Sequence, residues 1–102
     1  MQSEGAVAQF PATMGSDIGN GGALRARNER RRVFLRRLYE EVDASVSEFV
    51  DAFAVGTPLG MDRGEVVRSL EYLAEKGLVK VDDYGSGTVR LTAAGVDAVE
   101  LA

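Results

Sequence analysis

The sequence predicts an α+β fold, mainly α: three helices, a two-stranded hairpin and a C-terminal helix. Three observations lead there. Apolar residues recur at helical spacing around Leu38, Val50 and Leu70; the period then changes to two on either side of a polar, glycine-rich turn; and cap residues or glycines stand where these stretches begin and end.

Taken in order, residues 1–28 read as a flexible N-terminal arm and residues 29–102 as the folded domain. The arm carries Gly5, Gly15, Gly19, Gly21 and Gly22 with Pro11 and has no sustained periodicity. Gly19-Asn20-Gly21-Gly22 is not a phosphate loop, because no apolar strand precedes it and no Lys-Ser/Thr follows. A first helix is expected from Asn28, a plausible N-cap, with Phe34, Leu35, Leu38, Tyr39 and Val42 on one face. Ser45-Val46-Ser47-Glu48 has the form of a capping box, and Val46, Phe49, Val50 and Phe53 follow at helical spacing, so a second helix is expected to run to about Val55 and stop at Gly56. Pro58 separates it from the next helix.

The third helix has the clearest signature. Asp62 can cap its first turn with Glu65 three residues on, Met61 and Val66 stand where a hydrophobic staple would, and Val66, Val67, Leu70, Leu73 and Ala74 form one stripe. Gly77 supplies a left-handed C-terminal residue, after which Leu78 folds back on Leu73. Val79 and Val81 then alternate with Lys80, and Val89 and Leu91 flank Arg90, which makes a hairpin around Gly85 with Lys80 opposite Arg90. Thr92 caps a last helix from Ala93 to about Leu101.

The run from Leu70 to Val79, of the form LxxLxxxGLV, followed by Leu91-Thr92-Ala93-Ala94-Gly95, resembles the winged helix-turn-helix family of bacterial and archaeal DNA-binding domains. The likeness covers roughly residues 29 to 102. It implies that the third helix enters the major groove of DNA, that the hairpin is the wing, and that the terminal helix pairs with its copy in a second subunit or packs on the first helix. One departure is visible: Gly56–Met61 is longer than the usual turn between the second and third helices.

Composition narrows the function. The 102 residues contain no cysteine and no histidine, which excludes a disulfide framework, thiolate or imidazole metal ligation and histidine-based acid/base catalysis. There is no nucleophile–base pair and no cofactor loop, so neither enzyme activity nor a cofactor or metal is expected. No apolar run approaches the roughly 20 residues that cross a bilayer, and the first residues lack the pattern of a signal peptide, so a cytoplasmic location without membrane contact is expected, nucleoid-associated if the chain binds DNA. The net charge of −4 conceals a segregation. Residues 25–37 hold Arg25, Arg27, Arg30, Arg31, Arg32, Arg36 and Arg37 against Glu29, a net of +6, whereas residues 38–102 hold thirteen acids against five bases, a net of −8. Arginines at the start of a helix oppose its dipole, a conflict that phosphates or an acidic protein partner would relieve; solvated pairing with Glu40 or Glu41 is the ordinary alternative.

The candidate DNA-contacting residues are Arg63, Gly64, Arg68, Ser69 and Tyr72 on the third helix and Lys80, Tyr84 and Arg90 on the hairpin. Arg68 can read guanine or hold a phosphate, Ser69 can contact either, and Gly64 leaves room for close backbone approach; Arg68 can equally pair with Glu65 or Glu71. An anion between Lys80 and Arg90 would relieve their repulsion, with a phosphate, water or Asp82 as candidates. Two function classes remain. One is a transcriptional regulator or DNA-associated factor that binds double-stranded DNA as a homodimer, since two subunits are needed to reach the roughly six to ten phosphate contacts of firm binding. The other is a winged helix used for protein–protein contact or self-assembly without DNA.

Overall fold

A computed structural model describes residues 16–102, with side chains from Gly22 onward. The described residues divide into two units between Arg30 and Arg31, a boundary inside the first helix. Helix α1 spans Ser16–Glu41, strand β1 Val50–Asp51, α2 Ala52–Gly56, a 3₁₀ turn Thr57–Leu59, α3 Arg63–Glu75, β2 Val79–Asp83, β3 Thr88–Leu91 and α4 Ala93–Glu100. The architecture is α+β and mainly helical, with a three-stranded antiparallel sheet in the order β1-β3-β2.

The second unit is built around one apolar core. Phe34, Leu35, Leu38 and Val42 of α1 are buried, as are Ala52 and Val55 of α2, Met61, Val66, Leu70 and Leu73 at and along α3, Val79, Val89 and Leu91 of the sheet, and Val99 of α4. Helix α3 has the caps its sequence implies. The Asp62 carboxylate accepts from the Glu65 amide at 2.8 Å. At the other end Gly77 adopts φ 76°, its amide donates to the Ala74 carbonyl at 2.9 Å, and the Leu78 amide donates to the Leu73 carbonyl at 2.9 Å. These two bonds form a Schellman motif, which satisfies the last carbonyls and turns the chain directly into β2. In the hairpin Val79 faces Leu91, Lys80 faces Arg90 and Val81 faces Val89, the expected register, with a bulge between Val81 and Asp83.

The end of α3 and the start of α4 share a joint. The Thr92 hydroxyl donates to the Gly77 carbonyl at 2.6 Å and accepts from the Gly95 amide at 3.0 Å, while the Thr92 amide donates to the Leu78 carbonyl at 3.2 Å. A Cβ at Gly95 would stand 2.0 Å from that same carbonyl, so only glycine allows α4 to sit against the α3–β2 corner. Tyr39 closes the other end of α4 by donating to Glu100 Oε2 at 2.8 Å.

Two helix boundaries differ from expectation. Helix α1 starts at Ser16 rather than Asn28, so the part of the expected arm over residues 16–28 is helical, while residues 1–15 lie outside the described residues. No proline stands between Pro11 and Pro58 to stop a helix, and Ala23, Leu24, Arg25, Ala26 and Arg27 are good helix formers; each glycine upstream costs only about 1 kcal/mol against alanine. The arginines consequently lie well inside the helix, where the dipole no longer acts on them, and the expected electrostatic conflict at the helix start disappears. Helix α2 starts at Ala52, not near Val46. Ser45 Oγ does accept from the amides of Ser47 and Glu48, at 3.2 Å each, but Val50 pairs with Val89 instead of coiling, and Asp51 is the cap, accepting from Phe53 and Ala54 at 3.0 and 3.3 Å. A side-chain turn at Ser45 satisfies the same local bonds as a helix cap, and the gain from completing the sheet decides between them. After Gly56 the chain continues as the 3₁₀ turn with Pro58 in its first positions and reverses at Gly60, φ 75°.

Candidate nucleic-acid interface

The solvent face of α3 carries Arg68, Tyr72 and Lys76 in one i, i+4 row, with Gly64 one turn above and Glu71 and Glu75 alongside; all are exposed. Tyr72, 38% exposed, is the centre of the row. The Arg31 guanidinium of α1 lies over its ring, 3.8 Å from the centroid, and the Lys76 ammonium lies 5.8 Å from it. The aromatic ring therefore gathers two cations from different elements onto the α3 surface. Arg68 folds back toward the helix start, its guanidinium 3.1 Å from where a Gly64 Cβ would be. A side chain at Gly64 would displace it.

Other nominated residues have roles within the protein. Arg63 stacks on the Phe53 ring, 4.1 Å from the centroid, and donates to the Gly85 carbonyl in the hairpin turn. Gly87, φ 72°, packs so tightly on the same ring that a Cβ would approach it to 2.7 Å, and its carbonyl accepts from the Ala52 amide at 2.8 Å. Arg63 thus fastens the turn to the start of α3. Ser69, expected among the DNA-contacting residues, is buried at 6% exposure on the core side of the helix. Arg90 directs its guanidinium to the Val46 carbonyl at 3.3 Å and toward the Phe49 ring at 6.0 Å, while it stays in register opposite Lys80. Lys80 is exposed, and Tyr84 at the hairpin turn is 40% exposed.

The basic cluster is divided between the units. Arg25, Arg27 and Arg30 belong to the first, Arg31, Arg32, Arg36 and Arg37 to the second. Arg37 pairs with Glu40 at 3.6 Å, both side chains exposed, an interaction worth little in water. The stack of Arg31 on Tyr72 was not legible from spacing, since the two are far apart in sequence. The residues Phe49 and Phe53, also unsuspected, are where Arg90 and Arg63 are held. Among the described residues no group of three or more acidic side chains is arranged to hold a metal ion, and no helix is long and apolar enough to cross a membrane. No family model, curated protein or solved structure matches the chain.

Proposed function

We propose that the chain is a winged-helix protein that binds double-stranded DNA as a homodimer and acts as a transcriptional regulator or DNA-associated factor. The element order, the β1-β3-β2 sheet and the hand-over from α3 to a hairpin support the winged-helix reading. The observation that carries DNA binding is the pair of cations, Arg31 and Lys76, gathered on the Tyr72 ring, with Arg68 one turn away in the same row, on the helix that this fold presents to the major groove. Arg68 reads base edges or phosphates, Lys76 and Arg31 hold phosphates, and Tyr84 lies along the backbone from the wing. Arg63 keeps the wing in place through Gly85 and Phe53. A nucleoid-associated, cytoplasmic location follows from that role.

The test is a fluorescence anisotropy titration of a short labelled duplex at several salt concentrations. Binding weakens steeply with salt, and Arg68→Ala, which removes one cation from each of two subunits, both weakens it and lowers the slope of log affinity against log salt by about 2. A duplex that stays unbound by folded protein at low salt rejects the proposal. The acid surplus of residues 38–102 and the internal engagement of Arg63 and Arg90 favour a second reading, a module for protein contact or self-assembly. Sedimentation at several concentrations and salt levels tests the self-assembly form of it, and an unvarying monomer excludes that form.

A further inference from the structure

The sheet has a second surface that the α3 row does not use. Strand side chains alternate, so while Val79, Val89 and Leu91 enter the core, Lys80 and Arg90 stand side by side on the opposite face. Phe49 precedes β1 and falls by the same alternation on the face of Arg90, whose guanidinium lies 6.0 Å from its ring. Phe49 is 55% exposed and Val46, whose carbonyl Arg90 binds, is 42% exposed. Lys80, Arg90 and Phe49 thus form a row across the sheet, two cations ending in an uncovered phenyl ring.

We propose that this face docks a short acidic segment of a partner protein that also carries a large apolar side chain. A carboxylate seated at Lys80 and Arg90 compensates two like charges held opposite each other across adjacent strands. An apolar side chain beside it covers Phe49 and Val46, which water otherwise wets. The surroundings select a peptide over a nucleic acid. Asp51 and Asp83 both pair with Thr88, two residues from Arg90 along β3 and so on the same face, within a stretch of thirteen acids against five bases, and repel an extended polyanion while tolerating a segment with few charges. Asp51 and Asp83 cannot turn away to make room, since each accepts a backbone amide at its own turn.

The experiment is selection of phage-displayed random peptides on the immobilised full chain, followed by titration of a synthetic peptide of the enriched sequence. The enriched peptides place Asp or Glu within a few residues of Leu, Ile, Phe or Trp. Phe49→Ala and Lys80→Glu each weaken the synthetic peptide by about tenfold or more. Both side chains are exposed and outside the core, so either variant keeps a cooperative thermal transition, that of Lys80→Glu no lower than the parent's because the new carboxylate faces Arg90. Three results overturn the proposal: no acidic–apolar sequence is enriched, the enriched peptide binds both folded variants as tightly as the parent, or a duplex oligonucleotide displaces it from this face. Loss of duplex binding in the earlier titration leaves this outcome unaffected, because Lys80 and Phe49 lie outside the α3 row.

Discussion

Individual residues divide into those that make the fold and those available to a partner, and the first group includes most of the motif that carries the family likeness. Gly77, Thr92 and Gly95 meet at one joint, so the recurring glycines are packing requirements and say nothing of DNA. Gly95→Ala drives a Cβ into the Leu78 carbonyl and is expected to cost about 2–3 kcal/mol, read by denaturant unfolding. Ala44 is the converse case: it holds φ 65° in the turn after α1, where a Cβ is unfavourable, so Ala44→Gly is expected to stabilise by about 0.5–1 kcal/mol. Tyr39 supplies a pH-dependent term. Its hydrogen bond to Glu100, together with desolvation and the nearby carboxylates, raises its pKa above the ordinary tyrosine value. A pKa raised by folding stabilises the neutral form, so this contribution is present below about pH 10 and lost as pH rises through the higher folded value. Tyr39→Phe should therefore leave a shallower decline of stability in that alkaline range, measured by urea midpoints as a function of pH.

Among the elements, those defined by both ends of a periodic run were legible, and those decided by a distant partner were not. Helix α3 declares itself through Asp62, its stripe and Gly77, and the hairpin through the change to period two; the structure has both in the expected register. The start of helix α2 is ambiguous in the sequence because Ser45-Val46-Ser47-Glu48 satisfies its bonds locally either way, and β3, far along the chain, draws Val50 into the sheet. The caps now carry different weights. Asp51→Ala should cost about 1 kcal/mol as loss of a helix cap, whereas Ser45→Ala, at an exposed turn, should cost less. Helix α1 extends past the glycines that mark a boundary in the sequence, because no proline enforces one. Its greater length moves the arginines away from the helix start and removes the electrostatic argument that they require a counter-anion there.

At the scale of the whole molecule, the candidate site was half visible in the sequence. Helical spacing sets Arg68 opposite the apolar stripe with Ser69 and Tyr72 flanking, and of those two Tyr72 is exposed while Ser69 lies inward; Arg63 and Arg90 are held by Phe53 and Phe49 through contacts that spacing does not reveal. Arg31 of the basic block lies over Tyr72, a contact that spacing does not reveal, and that contact joins it to the α3 row. That joining is the central claim, since an acidic domain binds a polyanion only where its cations are gathered. The most direct measurement is a heteronuclear amide NMR titration of the folded protein with a short duplex at low salt. The account predicts shifts concentrated at Arg31, Arg68, Tyr72, Lys76 and Tyr84, with the Phe49–Arg90 face unmoved; no shifts, or shifts confined to that sheet face, would contradict it.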